Sequence, residues 1–505
     1  MFSNQSIVFN TNTNTDTDET QFGVLKLETV LSPFTEKELE LLFKVDCSGS
    51  MSDLCSDGRS KMQHILHTLK NMVLFFKENP SIRVSVTIHS FDDRVYTVVD
   101  RTRVTDETYA KIVASIDTIS PRTSTNIEKA LDHTKTMVSK MKEQYPDSVY
   151  HQIFLTDGQA TSGSTSHQTL SECVDDTITN VFIGFGLDHD ASLLTSVSSK
   201  RKGSSYFIDK IENAGLVYGE IVHGFVYRIL ENVVLTAENG TLYNFKTGNW
   251  ETELYIGDVV GDSKKFYHIH SDHPEDCRVT IRGNRVEDGE EVTFTVDNTG
   301  TTEDLTKYVY RQRTMEMLYR VNQSIDTDEP MKIEKEREEN ENEKEKEEKK
   351  NKKLLKVELN DLFVEIKKYM TDNGLTEDVL LRNLCDDIYV CRRTFGTQYE
   401  VMYCCARMFS QGTQRAYTAT HVPEEEEVVS YRNVLRRQHL RQSFINVNVT
   451  DNDDEDYDDD DIPAPFLGHN VSNSTDTPYQ TQTMTYTMRC VSGGSNEGMD
   501  TEEYQ

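Results

Sequence analysis

From Leu41 to Leu230 short apolar runs alternate with amphipathic stretches, and that alternation leaves few folds open. Leu41 to Val45, Val84 to Phe91, Val149 to Thr156 and Val181 to Phe185 are apolar enough to be strands buried in a sheet. Between the first two, Met62, Ile65, Leu66, Leu69, Val73 and Phe76 recur at helical spacing until Pro80. Arg94 to Val99 pairs with the preceding strand across Asp92-Asp93, Tyr109 to Ile116 is amphipathic, and Ile127 to Met141 is helical. Tyr206 to Ile208 supplies a last short strand and a helix from Ile211 to Leu230 closes the unit. The expected fold is α/β, a doubly wound, mostly parallel sheet.

The strand Leu41 to Val45 stops abruptly at Asp46-Cys47-Ser48-Gly49-Ser50. Asp46, Ser48 and Ser50 alternate, so a tight turn aims one carboxylate and two hydroxyls at one point. Oxygen donors of this kind suit Mg²⁺, with Mn²⁺ or Ca²⁺ as alternatives, and do not suit a soft metal. Two further segments deliver oxygens where strands end or helices begin. Thr125 precedes the helix that starts near Ile127, and the strand through Leu155 ends on Asp157-Gly158.

Together, Asp46-x-Ser48-x-Ser50, Thr125 and Asp157-Gly158 resemble the metal-ion-dependent adhesion site of the von Willebrand factor type A family. The resemblance covers roughly the first half of the chain. It implies that Ser48, Ser50 and Thr125 bind the ion directly and that Asp46 and Asp157 hold it directly or through water. A protein partner's Asp or Glu would fill the open position. The family often has two glycines before the threonine, where this chain has Thr123-Ser124, so a stiffer loop is expected.

The domain organisation expected is a disordered head over 1–20, an A-type unit over 21–230, a small antiparallel β-sandwich-like domain over 231–300, a helical region over 301–410 with a charged linker at 328–353, and a disordered acidic tail over 411–505. Phe22 to Leu31 alternates like a strand and could join either the A-type unit or the later β domain. Similar β and helical modules follow the A domain in some intracellular family members.

Nine scattered cysteines form no compact disulfide framework, which favours a reducing compartment. The N-terminus shows no basic region followed by an apolar core, and the stretch from Ile221 to Leu235 is too polar to cross a bilayer. A soluble cytoplasmic or other intracellular protein is expected. The formal net charge of -32 argues against nucleic acid as a partner. Oligomeric state is not legible.

The leading function is a non-enzymatic, metal-dependent protein-interaction or scaffold module. An alternative is a metallohydrolase, because His268-Ile269-His270-Ser271-Asp272-His273 spells the His-x-His-x-Asp-His signature of the metallo-β-lactamase fold. Against it, Phe266, His268 and His270 alternate as on an ordinary half-exposed strand. A ubiquitin-ligation adaptor is a third reading, by analogy with A-domain proteins that carry a RING. No nucleotide loop, His-Glu-x-x-His helix or Gly-x-Ser-x-Gly elbow is present.

Overall fold

The computed structural model describes residues 1–11, 20–31, 37–55, 57–157, 159–186, 189–210, 213–325, 338–397, 399–418 and 477–493. The chain begins with β1 (Phe2–Asn10) and β2 (Gln21–Thr29). The α/β unit follows in the order β3 (Leu39–Asp46), α1 (Lys61–Glu78), β4 (Val84–Phe91), β5 (Val95–Arg103), α2 (Asp106–Ile116), α3 (Ile127–Gln144), β6 (Val149–Thr156), α4 (His167–Cys173), β7 (Thr179–Phe185), α5 (Ala191–Ser198), β8 (Gly203–Ile208) and α6 (Ala214–Val226). Its sheet runs β5-β4-β3-β6-β7-β8, with only the edge strand β5 antiparallel.

Every residue of β3 and β4 is buried, which fits their Leu, Val, Ile and Phe content, and the polar residues among them, such as Glu40, Lys44, Thr87 and His89, are buried too. Leu41, Phe43 and Val45 face α1, α2 and α6, sharing a core with Ile65, Leu69, Ile112, Val217 and Ile221. Phe154 and Phe182 face the other side, against Leu131 of α3, Leu170 of α4 and Leu194 of α5. Helices therefore cover both faces. The order of connection reverses between β3 and β6, which lie side by side with Val45 opposite Leu155. A doubly wound sheet opens a crevice at such a switch point, beyond the carboxyl ends of the strands.

The chain continues through β9 (Arg228–Glu238), β10 (Thr241–Asn244), β11 (Asn249–Glu251), β12 (Glu253–Val260), β13 (Lys264–Ser271), β14 (Arg278–Arg285) and β15 (Glu291–Glu303). These join β1 and β2 in a nine-stranded sheet ordered β11-β10-β13-β2-β1-β15-β14-β9-β12. All its pairs are antiparallel except β1 with β15. Ile7, Leu25 and Leu27 share one core with Leu230, Leu235, Val279 and Ile281, so the sheet curls over itself. The α/β unit is thus inserted between two strands of the second sheet.

The helices α7 (Thr306–Ile325), α8 (Glu338–Asp372), α9 (Val379–Thr394) and α10 (Glu400–Thr413) pack around Leu318, Leu359, Ile366 and Leu384. A buried pair, Arg407 to Asp387 at 3.0 Å, ties α10 to α9. Tyr403 of α10 packs edge-on against Phe207 of β8, ring centroids 5.2 Å apart, joining the helices to the α/β unit. Last, α11 (Gln482–Val491) lies on α6. The close approach needs glycine: a Cβ on Gly219 would come within 2.3 Å of the Met488 Cα.

Four boundaries differ from the sequence reading. A disordered head over 1–20 does not hold for Phe2–Asn10, which pair with β2 and β15; residues 12–19 lie outside the described residues. Gln21–Thr29 belongs to the second sheet, between β1 and β13, and not to the α/β unit. The helix after Ile211 ends at Val226, because the apolar run through Leu230 already belongs to β9. Within the expected tail, Gln482–Val491 is helical, whereas 419–476 and 494–505 lie outside the described residues.

Candidate metal centre

Asp46 and Asp157 both have no solvent exposure, one at the end of β3 and the other just beyond β6, so the switch point itself carries the two acids. A short 3-10 turn, Gly49–Ser52, folds the chain back after Asp46. The turn places the Ser48 and Ser50 hydroxyl oxygens 3.0 Å apart. Both hydroxyls donate to the same oxygen of Asp157, Oδ1, at 3.3 and 2.9 Å. Three of the five expected donors therefore meet at hydrogen-bond distance.

Asp46 is held differently. Its Oδ1 accepts the Ser48 backbone N–H at 2.8 Å and its Oδ2 accepts the Thr156 hydroxyl at 2.8 Å. Both oxygens thereby help to fix the turn. Burial, with the Asp157 charge adding, pushes its pKa up to about 6, while the Ser48 and Thr156 hydrogen bonds oppose the shift.

Thr125, 2% exposed, sits in a loop fixed from two sides. Its N–H donates to the Thr161 hydroxyl at 2.8 Å and its carbonyl accepts the Thr161 and Ser162 amides at 3.0 and 3.2 Å. Gly49 N–H donates to Thr123 O at 3.3 Å, and Arg122 N–H to Cys47 O at 2.6 Å, so this loop is stitched to the serine turn. Neither Thr123 nor Ser124 has a positive φ, so the loop needs no glycine there. Cys47 is a packed thiol with no exposure, and burial pushes its pKa up to about 12.

Sequence reasoning missed Lys61. Its ammonium donates to Asp157 Oδ2 at 2.9 Å and lies 3.7 Å from Asp53. Ser60 and Gln63 form a capping box that starts α1 at Lys61, and this fixes the lysine beside the acid. The Ser60-x-x-Gln63 spelling was the available signal. Two carboxylates and three hydroxyls make a hard-oxygen donor set suited to a divalent cation, and the Lys61 ammonium places a competing positive charge on Asp157.

The histidine signature is not a metal cluster. Arg311 donates from Nη1 to His268 Nε2 at 3.0 Å, so the ring hydrogen is on Nδ1 and donates to Gln312 Oε1 at 2.6 Å. Burial, with Arg311 adding, holds that ring well below the usual histidine pKa. His270 stacks on Trp250 with ring centroids 3.5 Å apart, Asp272 accepts from Thr20 at 2.6 Å, and the His273 side chain is 70% exposed. Among the described residues no three His, Cys, Asp or Glu side chains gather into a metal-holding group. Of the residues the metallohydrolase reading relies on, His268, His270 and Asp272 are thus engaged with Arg311 and Gln312, Trp250 and Thr20.

Among the described residues no helix is long and apolar enough to cross a membrane. No curated protein sequence matches this chain. Among solved structures, it is similar to a von Willebrand factor type A protein from Catenulispora acidiphila, at 14% identity over 64% of this chain and 82% of that one, TM-score 0.43. It is similar too to the ArnB paralog VWA2 from Sulfolobus acidocaldarius, at 12% identity over 81% and 98%, TM-score 0.48. A third is proximal thread matrix protein 1 from the mussel byssus with a zinc-occupied MIDAS motif, at 15% identity over 41% and 51%, TM-score 0.31. The family model of the von Willebrand factor type A domain matches residues 40–219, the stretch that carries the sheet, its switch point and all five oxygen-bearing residues, and this part of the chain is such a domain.

Proposed function

We propose that the A domain is a metal-dependent protein-recognition module, with Ser48, Ser50 and Thr125 as direct ligands and Asp46 and Asp157 holding the ion directly or through water. Mg²⁺ is the ion favoured by this donor set, ahead of Mn²⁺ and Ca²⁺. When bound, it would supply a residual positive field that takes a carboxylate of a protein partner. The observation that carries this reading is the meeting of both serine hydroxyls on one oxygen of Asp157. The turn and the Thr125 loop are already tied together by backbone hydrogen bonds, which supports a preorganised site. The second sheet and the helices, packed on the same domain, serve as its scaffold.

The test uses the full chain as bait in Mg²⁺ and in EDTA. Thr125→Ala removes one hydroxyl without disturbing Lys61, and Asp157→Ala removes the central acid. Each variant should lose the partners that EDTA releases, while far-UV circular dichroism stays unchanged. Recovery of the same partners by both variants and in EDTA would overturn the proposal.

A further inference from the structure

A cavity of about 300 Å³ lies where the A domain, the curled sheet and the helices meet. Its lining is charged against the character of the chain. Arg201, Lys202, Lys246, Lys265, Arg311 and Arg415 face Glu220 and Asp258, in a protein whose net charge is -32. Glu220 lies within electrostatic reach of Lys265 and Arg415 but at ion-pair distance from neither, so one carboxylate stands against the three inner cations, Lys265, Arg311 and Arg415. Asp258 pairs with Arg228 at 3.0 Å, and the two oxygens of Glu220 accept the Ala416 and Tyr417 amides at 3.0 and 2.9 Å.

The inner cations rest instead on neutral acceptors. Lys265 donates to the Thr413 and Gln414 carbonyls at 3.0 and 2.8 Å. Arg415, 6% exposed, donates to the Ser205 carbonyl at 2.5 Å and stacks over Tyr206. Arg311, 2% exposed, reaches the carbonyls of Phe266 and Gln411 and the ring of His268, and its buried Nε has no partner. No ion pair joins any of the three to a carboxylate among the described residues. The buried hydroxyl of Tyr243, another lining residue, also has no partner. Buried cations and polar atoms left in this condition are costly unless a ligand completes them.

We propose that this cavity is a binding site for a small phosphate-bearing molecule, held by Lys265, Arg311 and Arg415, with the Tyr243 hydroxyl as a further donor. Phosphate suits guanidinium and ammonium donors, and the volume fits a ligand the size of a mononucleotide or smaller. The aromatic walls, Tyr206, Phe245 and Tyr479 among them, suit an organic ester carrying a ring. The site is separate from the Asp157 loop and does not depend on it.

The experiment is thermal unfolding of the full chain in EDTA, which removes any divalent ion that could bridge a phosphate to the A domain. Three probes are titrated at constant ionic strength: inorganic phosphate, pyrophosphate and adenosine monophosphate. A concentration-dependent rise in the midpoint is expected, larger for the ester if the aromatic walls take part and larger for pyrophosphate if charge alone decides. Lys265→Met should weaken binding about tenfold. Tyr243→Phe is the second variant: it should leave the unliganded midpoint equal or higher, since it removes an unsatisfied hydroxyl, yet weaken binding severalfold. No midpoint rise with any probe up to about 10 mM, or equal rises in wild type and both variants, would overturn the assignment.

Discussion

His89 gives the most direct handle on what burial costs inside the A domain. It lies on β4 with Lys44 of β3 as its register partner, and its ring packs on that of His133 with centroids 4.6 Å apart. It is 3% exposed and its Nδ1 has no hydrogen-bond partner. Burial first, then the charges on Lys44 and His133, push its pKa down to about 3. An unfolded histidine titrates near ~6.5. The unfolded state therefore binds the proton first, and stability present above that value is lost as pH falls toward 3. Linkage over this interval amounts to about 2 kcal/mol at pH 5 and only about 0.2 kcal/mol at pH 7.

His89→Leu removes the titration while keeping a side chain of similar bulk. The assay is amide hydrogen exchange of β4 in the full chain at pH 7 and pH 5, corrected for intrinsic exchange at each pH. Groups distant from His89 cancel in the difference, which leaves His89 with its coupled neighbours Lys44 and His133. The wild type should lose about 2 kcal/mol more opening free energy between the two pH values than the variant. Equal losses in both proteins would refute the idea of a neutral, desolvated His89.

Two further perturbations address other parts of the structure. Lys61→Met removes the ammonium that shares Asp157 with the proposed ion, so Mg²⁺ affinity measured by calorimetry should rise about tenfold; unchanged or weaker affinity would show that Lys61 does not compete. Gly219→Leu would drive a side chain into the Met488 backbone, so α11 should detach and its amides should exchange at rates near those of an unprotected peptide, while the β3 amides keep their protection.

Much of the A domain was legible because its signals are local. A strand buried on both faces is largely apolar, as β3 is apart from Glu40 and Lys44, and a strand that ends at or just before Asp46 or Asp157 declares its polar end in the same few residues. Strand pairing carries no comparable local signal. Gln21–Thr29 alternates like any strand, and nothing near it indicates that β13 lies on one side and β1 on the other. The Val226 boundary was missed because hydrophobicity continues unbroken from α6 into β9, where only the period changes. Gln482–Val491 was missed because a ten-residue, threonine-rich segment is a poor helix alone and takes its stability from α6. Lys61 went unread because nothing local in the sequence ties it to Asp157, 96 residues away; the capping box fixes where its helix begins.

The placement of the A domain between β2 and β9 has a consequence for synthesis. β1 must pair with β15, joining Ile7 to Asn298 across the whole A domain and most of the second sheet. On a ribosome moving at ~5–20 residues per second, the amino-terminal hairpin waits on the order of ten seconds to a minute for its partner strands. During that time it presents the apolar Ile7, Phe9, Leu25 and Leu27 and two open strand edges. The sheet of the A domain, whose strands β3 to β8 all pair among themselves, is paired well before then, though its core is finished only when α11 docks on α6. A fragment cut to residues 40–219 would carry none of the second sheet, whereas a chain lacking β1 and β2 but keeping the later strands would leave β13 and β15 each missing a neighbour, and aggregation at those edges is the expected fate of that truncation.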